Sequence, residues 1–450
     1  MAHQTLMEKV PWLLREENNE SDDYEPKVVS LGPYHHGKEK LNFVEDFKPQ
    51  AVKMFLLEDE KNKEEDFLNE IIGDIKNARR CYDEEITSQY SDEEFARMLL
   101  RDACVILNYT GPTKDKESSN KGWIIGHLGI VVYTSIKRDM YLLENQVPFE
   151  ILQKLFLKRY TGYDKAEFID MMETYCFKMF FGDRAILEKP NATNMLGKDP
   201  LHLLEVFRRV VITGVDHEGP LAVRCCNYNN LISCIENCCG CRSKETSNTR
   251  GRYVFRSVNV LKSKGIHFTA SKLNSLKGVR FSPTQFCQPA MLKLPSCNIT
   301  MFTRVFFKNM IAYELSRNFP MNKNIIAYVS LMKLLVVKEE DAMELREKEI
   351  IINNLASDQE VVQLFNALNT YEAEDTAFYW DVKEGIEKHY NSKLKMWMAD
   401  LKTTYFDNPW SIIAFAGAIF ALFLTILQTY YSAPHGDDDK CCAKGKFHLD

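Results

Sequence analysis

The chain has 450 residues, 45% hydrophobic and 27% charged, with 57 basic and 63 acidic side chains giving a net charge of −6. That balance is ordinary for a globular chain and supplies enough apolar surface for a core without disulfides. It argues against a general nucleic-acid binder, which concentrates positive charge on one face, and the 13 unevenly spaced cysteines do not form the even framework of a small secreted domain.

The first residues, MAHQTLMEKVPWLLREENNE, contain no apolar core of a secretory signal, so residues 1–23 read as a tail. YEPKVVSLGPYHHGKEKL follows. Gly32, Pro33 and Gly37 announce a turn there. Adjacent histidines do not project to one point in a strand, and helical metal pairs prefer a spacing of four. The turn reading makes Tyr34, His35 and His36 polar tips that bond nearby backbone. The chemical alternative is a metal or catalytic site around His35 and His36.

Further on, Ser91 and Glu94 have capping-box spacing before the stripe Phe95, Met98, Leu99, Val105. Asp102 falls on or beside that stripe, as a buried acid with a partner or a boundary carboxylate near Arg101. IKRDMYLLENQVPFEILQKLFLKRY reads as two helices meeting at Val147-Pro148, because Pro148 can stop one helix and open the next. The polar Asp139, Glu144, Asn145 and Gln146 interrupt that apolar run. They either line a site or satisfy the backbone groups that helix ends leave unpaired. His202, opening LHLLEVFR, suits a capping or core-edge residue better than a general base.

Cys225, Cys226, Cys234, Cys238, Cys239 and Cys241 crowd one short stretch. Zinc accepts four thiolates, with Cys234, Cys238 and Cys241 as candidates, but paired C-x₂-C knuckles are absent. Lipidation, a disulfide and an exposed variable loop are the alternatives. Gly265–Phe268, Val279–Phe281 and Met291–Leu294 are β-prone pieces between turns and predict a small antiparallel sheet. A helix is expected from about Thr300 to Arg317. Another begins after Ser357, with Glu360 as the answering acid and Val361, Leu364, Phe365 and Leu368 as its stripe.

Near the C-terminus, Ser411 to Tyr431 is uncharged over 21 residues. As a helix this spans roughly 31 Å, against a hydrocarbon core of about 30 Å. Asn408 suits an N-cap, Pro409 a first helical position, and Trp410 with Tyr430-Tyr431 interfacial belts. The expectation is one transmembrane helix whose lipid contact anchors the protein. Lysines on both sides leave orientation tied, and the late position favours a cytosolic N-terminal bulk, with the plasma membrane as the expected location. Cys441 and Cys442 are candidates for palmitoylation or are idle thiols. No phosphate-binding, dinucleotide, nucleophile-elbow or zinc-protease motif occurs, so no catalytic residue or cofactor is named.

Several motifs in order carry a resemblance. YEPKVVSLGPYHHGKEKL, ARRCY at 78–82, MLLRDACVIL, DMYLLENQVPFEIL with Glu144, Asn145, Gln146 and Pro148, LHLLEVFR, NMIAYEL, ASDQEVVQLFNAL and WMADLKTTYFDNPW together resemble the plant family called domain of unknown function 247. Leu315 departs from the glutamine common there. The resemblance implies a large helical domain with a single membrane pass and no established enzymatic activity or cofactor. An association of some members with grass self-incompatibility loci implies recognition or signalling through a protein partner.

The expected architecture is mainly α with a small antiparallel β element and one C-terminal transmembrane helix. Its parts are a family domain over 24–405 (helical half 24–220, cysteine-rich loop 221–256, β element and helices 257–405), a juxtamembrane and membrane segment 406–431 and a polar tail 432–450. The expected function is a membrane-anchored interaction or recognition module. The alternative is a membrane-associated enzyme centred on the His35–His36 turn.

Overall fold

Capping chemistry starts the helices where the sequence places it. In the computed structural model the Ser91 hydroxyl accepts the Glu94 N–H at 3.3 Å, and Glu94 returns a bond to the Ser91 N–H at 2.9 Å. Asp164 and Glu167 repeat the device, both bonds at 2.8 Å. The residues described are 6–16, 23–56, 63–112, 120–182, 199–213, 256–284, 289–316, 323–371, 373, 378–391 and 409–432. They fall into two units, Met1–His389 and Tyr390–Asp450.

The first unit opens with α1 (Trp12–Glu16), α2 (Asn42–Glu45), α3 (Lys48–Leu56), α4 (Glu64–Gly73), α5 (Ile75–Arg80) and α6 (Glu84–Thr87). Its centre is α7 (Asp92–Thr110), packed by α3, α4 and later α9. Three acids in the first turn of α7 favour the positive end of its dipole, and its apolar stripe from Phe95 to Leu107 is buried. Then come α8 (Asn120–Asp139), α9 (Phe149–Arg159), α10 (Lys165–Phe181) and α11 (Leu203–Thr213). Helix α8 is kinked at Gly129, whose φ of 78° is open to glycine without strain. Pro148 does cap α9, but α8 stops at Asp139. The expected helix-to-helix junction is therefore a buried loop over 140–148, not a meeting at one proline.

After α12 (Val258–Ser263) the chain forms β1 (Ile266–Ala270), β2 (Arg280–Ser282), β3 (Ala290–Leu294) and β4 (Cys297–Ile299). The expected antiparallel sheet is corrected. Strand β3 lies between the other two, parallel to β1 and antiparallel to β2. The chain between β1 and β3 is long enough for a crossover, which parallel pairing requires. Helices α13 (Thr303–Glu314), α14 (Asn324–Leu335) and α15 (Glu339–Glu347) follow, then β5 (Ile351–Asn353), which pairs with β4 in parallel. Helices α16 (Asp358–Asn366) and α17 (Trp380–Tyr390) complete this part.

In the second unit α18 spans Pro409–Ser432. The expected transmembrane span over Ser411 to Tyr431 is corrected: among the described residues no helix is long and apolar enough to cross a membrane. Asn408, the expected N-cap, lies outside the described residues. The single-pass, plasma-membrane localisation with a cytosolic N-terminal bulk rested on that span and is corrected with it.

Candidate functional site

The polar residues of the 140–148 loop converge on the N-terminal segment 24–37. An extended chain with no sheet partner must satisfy its backbone some other way. Here side chains do it. Asp139 Oδ2 accepts the N–H groups of Lys27 at 2.9 Å, Val28 at 2.8 Å and Val29 at 3.2 Å, while Arg138 donates to Oδ1 at 2.6 Å. Burial pushes the Asp139 carboxyl up, opposed by those N–H groups and by Arg138. Asn145 accepts the Leu31 N–H at 2.7 Å and donates to the Val29 carbonyl at 3.1 Å, as a neighbouring strand would. Gln146 donates to the Met140 and Leu142 carbonyls at 2.8 and 2.7 Å and accepts the Leu204 N–H at 3.1 Å, so it ties the loop to α11.

Gly32 sits where two segments of the chain touch. Its φ is +75°, and a Cβ there would lie 2.6 Å from the Gln146 carbonyl oxygen. Its N–H donates to Asp102 Oδ2 at 2.7 Å. Asp102 is fully buried, not a boundary residue beside Arg101. Its partner is Lys48, also buried, which donates to Asp102 Oδ1 at 2.6 Å, to the Ser30 carbonyl at 2.7 Å and to Glu45. A buried ammonium whose three donors all find oxygens is satisfied. Sequence reading missed Lys48. Its signal is a lysine on the buried face of α3 with Ala51, Val52 and Phe55.

The turn itself is structural on the side of Tyr34. The Tyr34 hydroxyl donates to the Met7 carbonyl at 2.7 Å and accepts the Asp83 N–H at 3.3 Å. Pro33 precedes it in the turn, and Gly37 closes the turn at φ +78°. The two histidines part company. His36 is half-exposed, edge-on to Tyr90 at 5.9 Å, with Nδ1 3.8 Å from Glu45. His35 is 2% exposed. The Lys38 ammonium lies 2.8 Å from its Nδ1 and can only donate, so Nδ1 accepts and the neutral ring carries its proton on Nε2. Nε2 has no hydrogen-bond partner among the described residues and points 3.8 Å from Glu144 Oε2.

Glu144 is shared. Its Oε1 accepts the Val10 N–H at 2.7 Å, and its Oε2 takes the Arg15 guanidinium at 2.6 Å. Arg15 also reaches Glu25 at 2.8 Å, and Lys38 binds the other Glu25 oxygen at 2.8 Å. Burial alone would raise the Glu25 carboxyl, but the Lys38 hydrogen bond, His35 and Arg15 hold it down at about 2. Burial pushes His35 down to about 4, helped by Lys38, Arg15 and Lys40. The ring is therefore neutral near pH 7.

A second buried group lies by α11. His202 is fully buried; its Nδ1 accepts the Glu205 N–H at 3.1 Å and caps the helix, while burial lowers its pKa to about 4. Glu314 accepts the N–H groups of Ile325 and Ile326, each at 3.0 Å, and binds Arg208 at 2.7 Å. It thereby caps α14 from outside that helix.

Among the described residues no three His, Cys, Asp or Glu side chains are grouped to hold a metal. At the His35–His36 turn the Nδ1 lone pair is already bound to Lys38. Cys234, Cys238 and Cys241, like Cys441 and Cys442, lie outside the described residues. Burial raises the Cys81 thiol to about 12 and pushes Cys104, Cys176 and Cys297 well up, so none of these is a thiolate at neutral pH. A groove of about 480 Å³ between α4 and α9 is lined by Asp66, Asn69, Glu70, Asp74, Lys154 and Lys158, which largely pair with one another.

The sequence profile of a plant protein family of unknown function, DUF247, matches residues 7–424. The chain is 26% identical to the UPF0481 protein At3g47200 of Arabidopsis thaliana over 420 residues, covering 90% of this chain and 82% of the relative. It is 20% identical to the putative UPF0481 protein At3g02645 of Arabidopsis thaliana, covering 91% of this chain and 87% of the relative. No solved structure matches it.

Proposed function

The chain belongs to the plant DUF247 family, a family of unknown function, and from that premise we propose that it is a protein-interaction module that receives a partner protein on the outer face of α8. The observation carrying this reading is apolar surface left in water. Val131 is 73% exposed and Ile130 54%, just beyond the Gly129 kink. No charged residue interrupts 122–136. On the preceding turns Trp123 and His127 stack at 4.3 Å, and Trp123 packs on Phe47 at 5.2 Å. Phe43, one turn before Phe47, is 62% exposed. Exposed apolar side chains such as Ile130, Val131 and Phe43 are what recognition sites present, and burying them in a complex is favourable by about 25 cal/mol per Å².

Proximity labelling in plant tissue tests the reading, with the whole chain compared with Val131→Glu. A discrete set of proteins labelled by the wild type and lost with Val131→Glu is the expected result. Identical labelling by the two chains overturns it.

A further inference from the structure

The N-terminal segment 6–16 is seated by a short series of polar contacts and three buried apolar side chains. Met7 donates its N–H to the Cys81 carbonyl at 2.7 Å and accepts the Tyr34 hydroxyl at 2.7 Å. Lys9 pairs with Asp83 at 2.6 Å. Val10 and Arg15 both end on Glu144. Between these ties Met7, Val10 and Leu14 are buried, while Trp12 and Leu13 face water.

We propose that this segment is an acid-weakened latch, because Arg15 and His35 face the same carboxylate oxygen, Glu144 Oε2, and a charged His35 would crowd Arg15 there. In the closed state Arg15 holds that oxygen at 2.6 Å, and the neutral His35 waits 3.8 Å away with its Nε2–H unpartnered. A second proton on His35 must go to Nδ1. There it meets the Lys38 ammonium at 2.8 Å, donor against donor. The cationic ring then faces Lys38 and Lys40 from its own turn and Arg15 from α1. Its available counter-charges are Glu25, 3.6 Å from Nδ1 and already held by Lys38 and Arg15, and Glu144. Repulsion from the charged ring weakens the hold of Arg15, and Glu144 Oε2 swings toward Nε2–H as that hold loosens. The charged ring gains the partner that the neutral ring lacks, and the segment is left with one of its two Arg15 ion pairs, the 2.8 Å bond to Glu25.

The linkage runs in the direction of acid weakening. His35 is depressed from 6.5 to about 4 in the closed state, so an open state with an ordinary histidine binds more protons throughout that window. Opening then rises as pH falls from about 6.5 to about 4, by up to about tenfold per pH unit for one proton.

Hydrogen exchange of the full chain, corrected for intrinsic rates, reads this at residues 6–16 between pH 7 and pH 5. The expected result is loss of protection there, growing severalfold to tenfold per unit, while α7 stays protected. In His35→Gln, which keeps an acceptor but cannot be charged, the corrected protection is expected to be flat with pH. An unchanged pH dependence in His35→Gln, or release of α7 together with the segment, overturns the proposal. If His35→Gln does not fold, Arg15→Gln decides. A segment already released at pH 7 supports the latch, and wild-type protection there overturns it.

Discussion

Residues 120–135 of α8 and residues 138–149 that follow are adjacent in sequence, yet they invert the usual sorting of side chains. The first stretch turns Ile130 and Val131 to water. The second is buried throughout although it carries Arg138, Asp139, Glu144, Asn145 and Gln146. Hydrophobicity does not separate inside from outside here; hydrogen-bond satisfaction does. Each polar side chain of the loop finds backbone or an ion partner, which makes its burial tolerable. Helix α8 buries Ile124, Leu128 and Ile136, but Ile130 and Val131 stay exposed. The loop is built to hold the fold, and the exposed pair on α8 is the surface the proposed partner would cover.

The largest test of this contrast is Asp102→Ala. It takes from the buried Lys48 its fully buried carboxylate, leaving it Glu45 and the Ser30 carbonyl, and strips the Gly32 N–H of its acceptor; about 3–5 kcal/mol of stability is expected to go, measured by urea denaturation. Replacing both partners, Lys48→Met with Asp102→Leu, should recover much of it. Next is Gly32→Ala, which forces a Cβ into the Gln146 carbonyl at a positive φ and should cost about 2–4 kcal/mol. Acid comes third. His202 is held neutral with its pKa lowered from 6.5 to about 4, so the unfolded chain binds the extra proton in that window. Its contribution is full above about pH 6.5 and is lost as pH falls toward 4. Urea unfolding at pH 7 and pH 5 should differ by about 2 kcal/mol through this group, and His202→Gln should remove that part of the difference. The smallest effect belongs to the other region: Val131→Glu, the variant used against the partner, should change stability by less than about 0.5 kcal/mol. A large loss there would mean that the α8 face is core, and the contrast would collapse.

Much of the local structure was legible because its causes are local. Ser91 with Glu94, Pro148 before α9, and Gly32 and Gly37 around the turn all act over a few residues. His202 read correctly as a cap. The partners were not legible. Lys48 and Asp102 are 54 residues apart, and nothing in the neighbours of Asp102 separates a paired interior acid from a boundary one beside Arg101. Strand direction was missed for the same reason, since alternation marks a strand but is blind to which neighbour it joins. The role of Glu144 as the seat of Arg15 depends on a segment 129 residues away.

The side-chain cradle for residues 27–31 also sets an order of events during synthesis. Asp139 and Asn145 lie 110 to 116 residues after the backbone groups they bind. At roughly 5–20 residues per second the N-terminal segment leaves the ribosome several seconds before its cradle exists. It is therefore held without its partners until the chain has passed Gln146, and a stall before that point would leave a nascent chain with this segment still unbound.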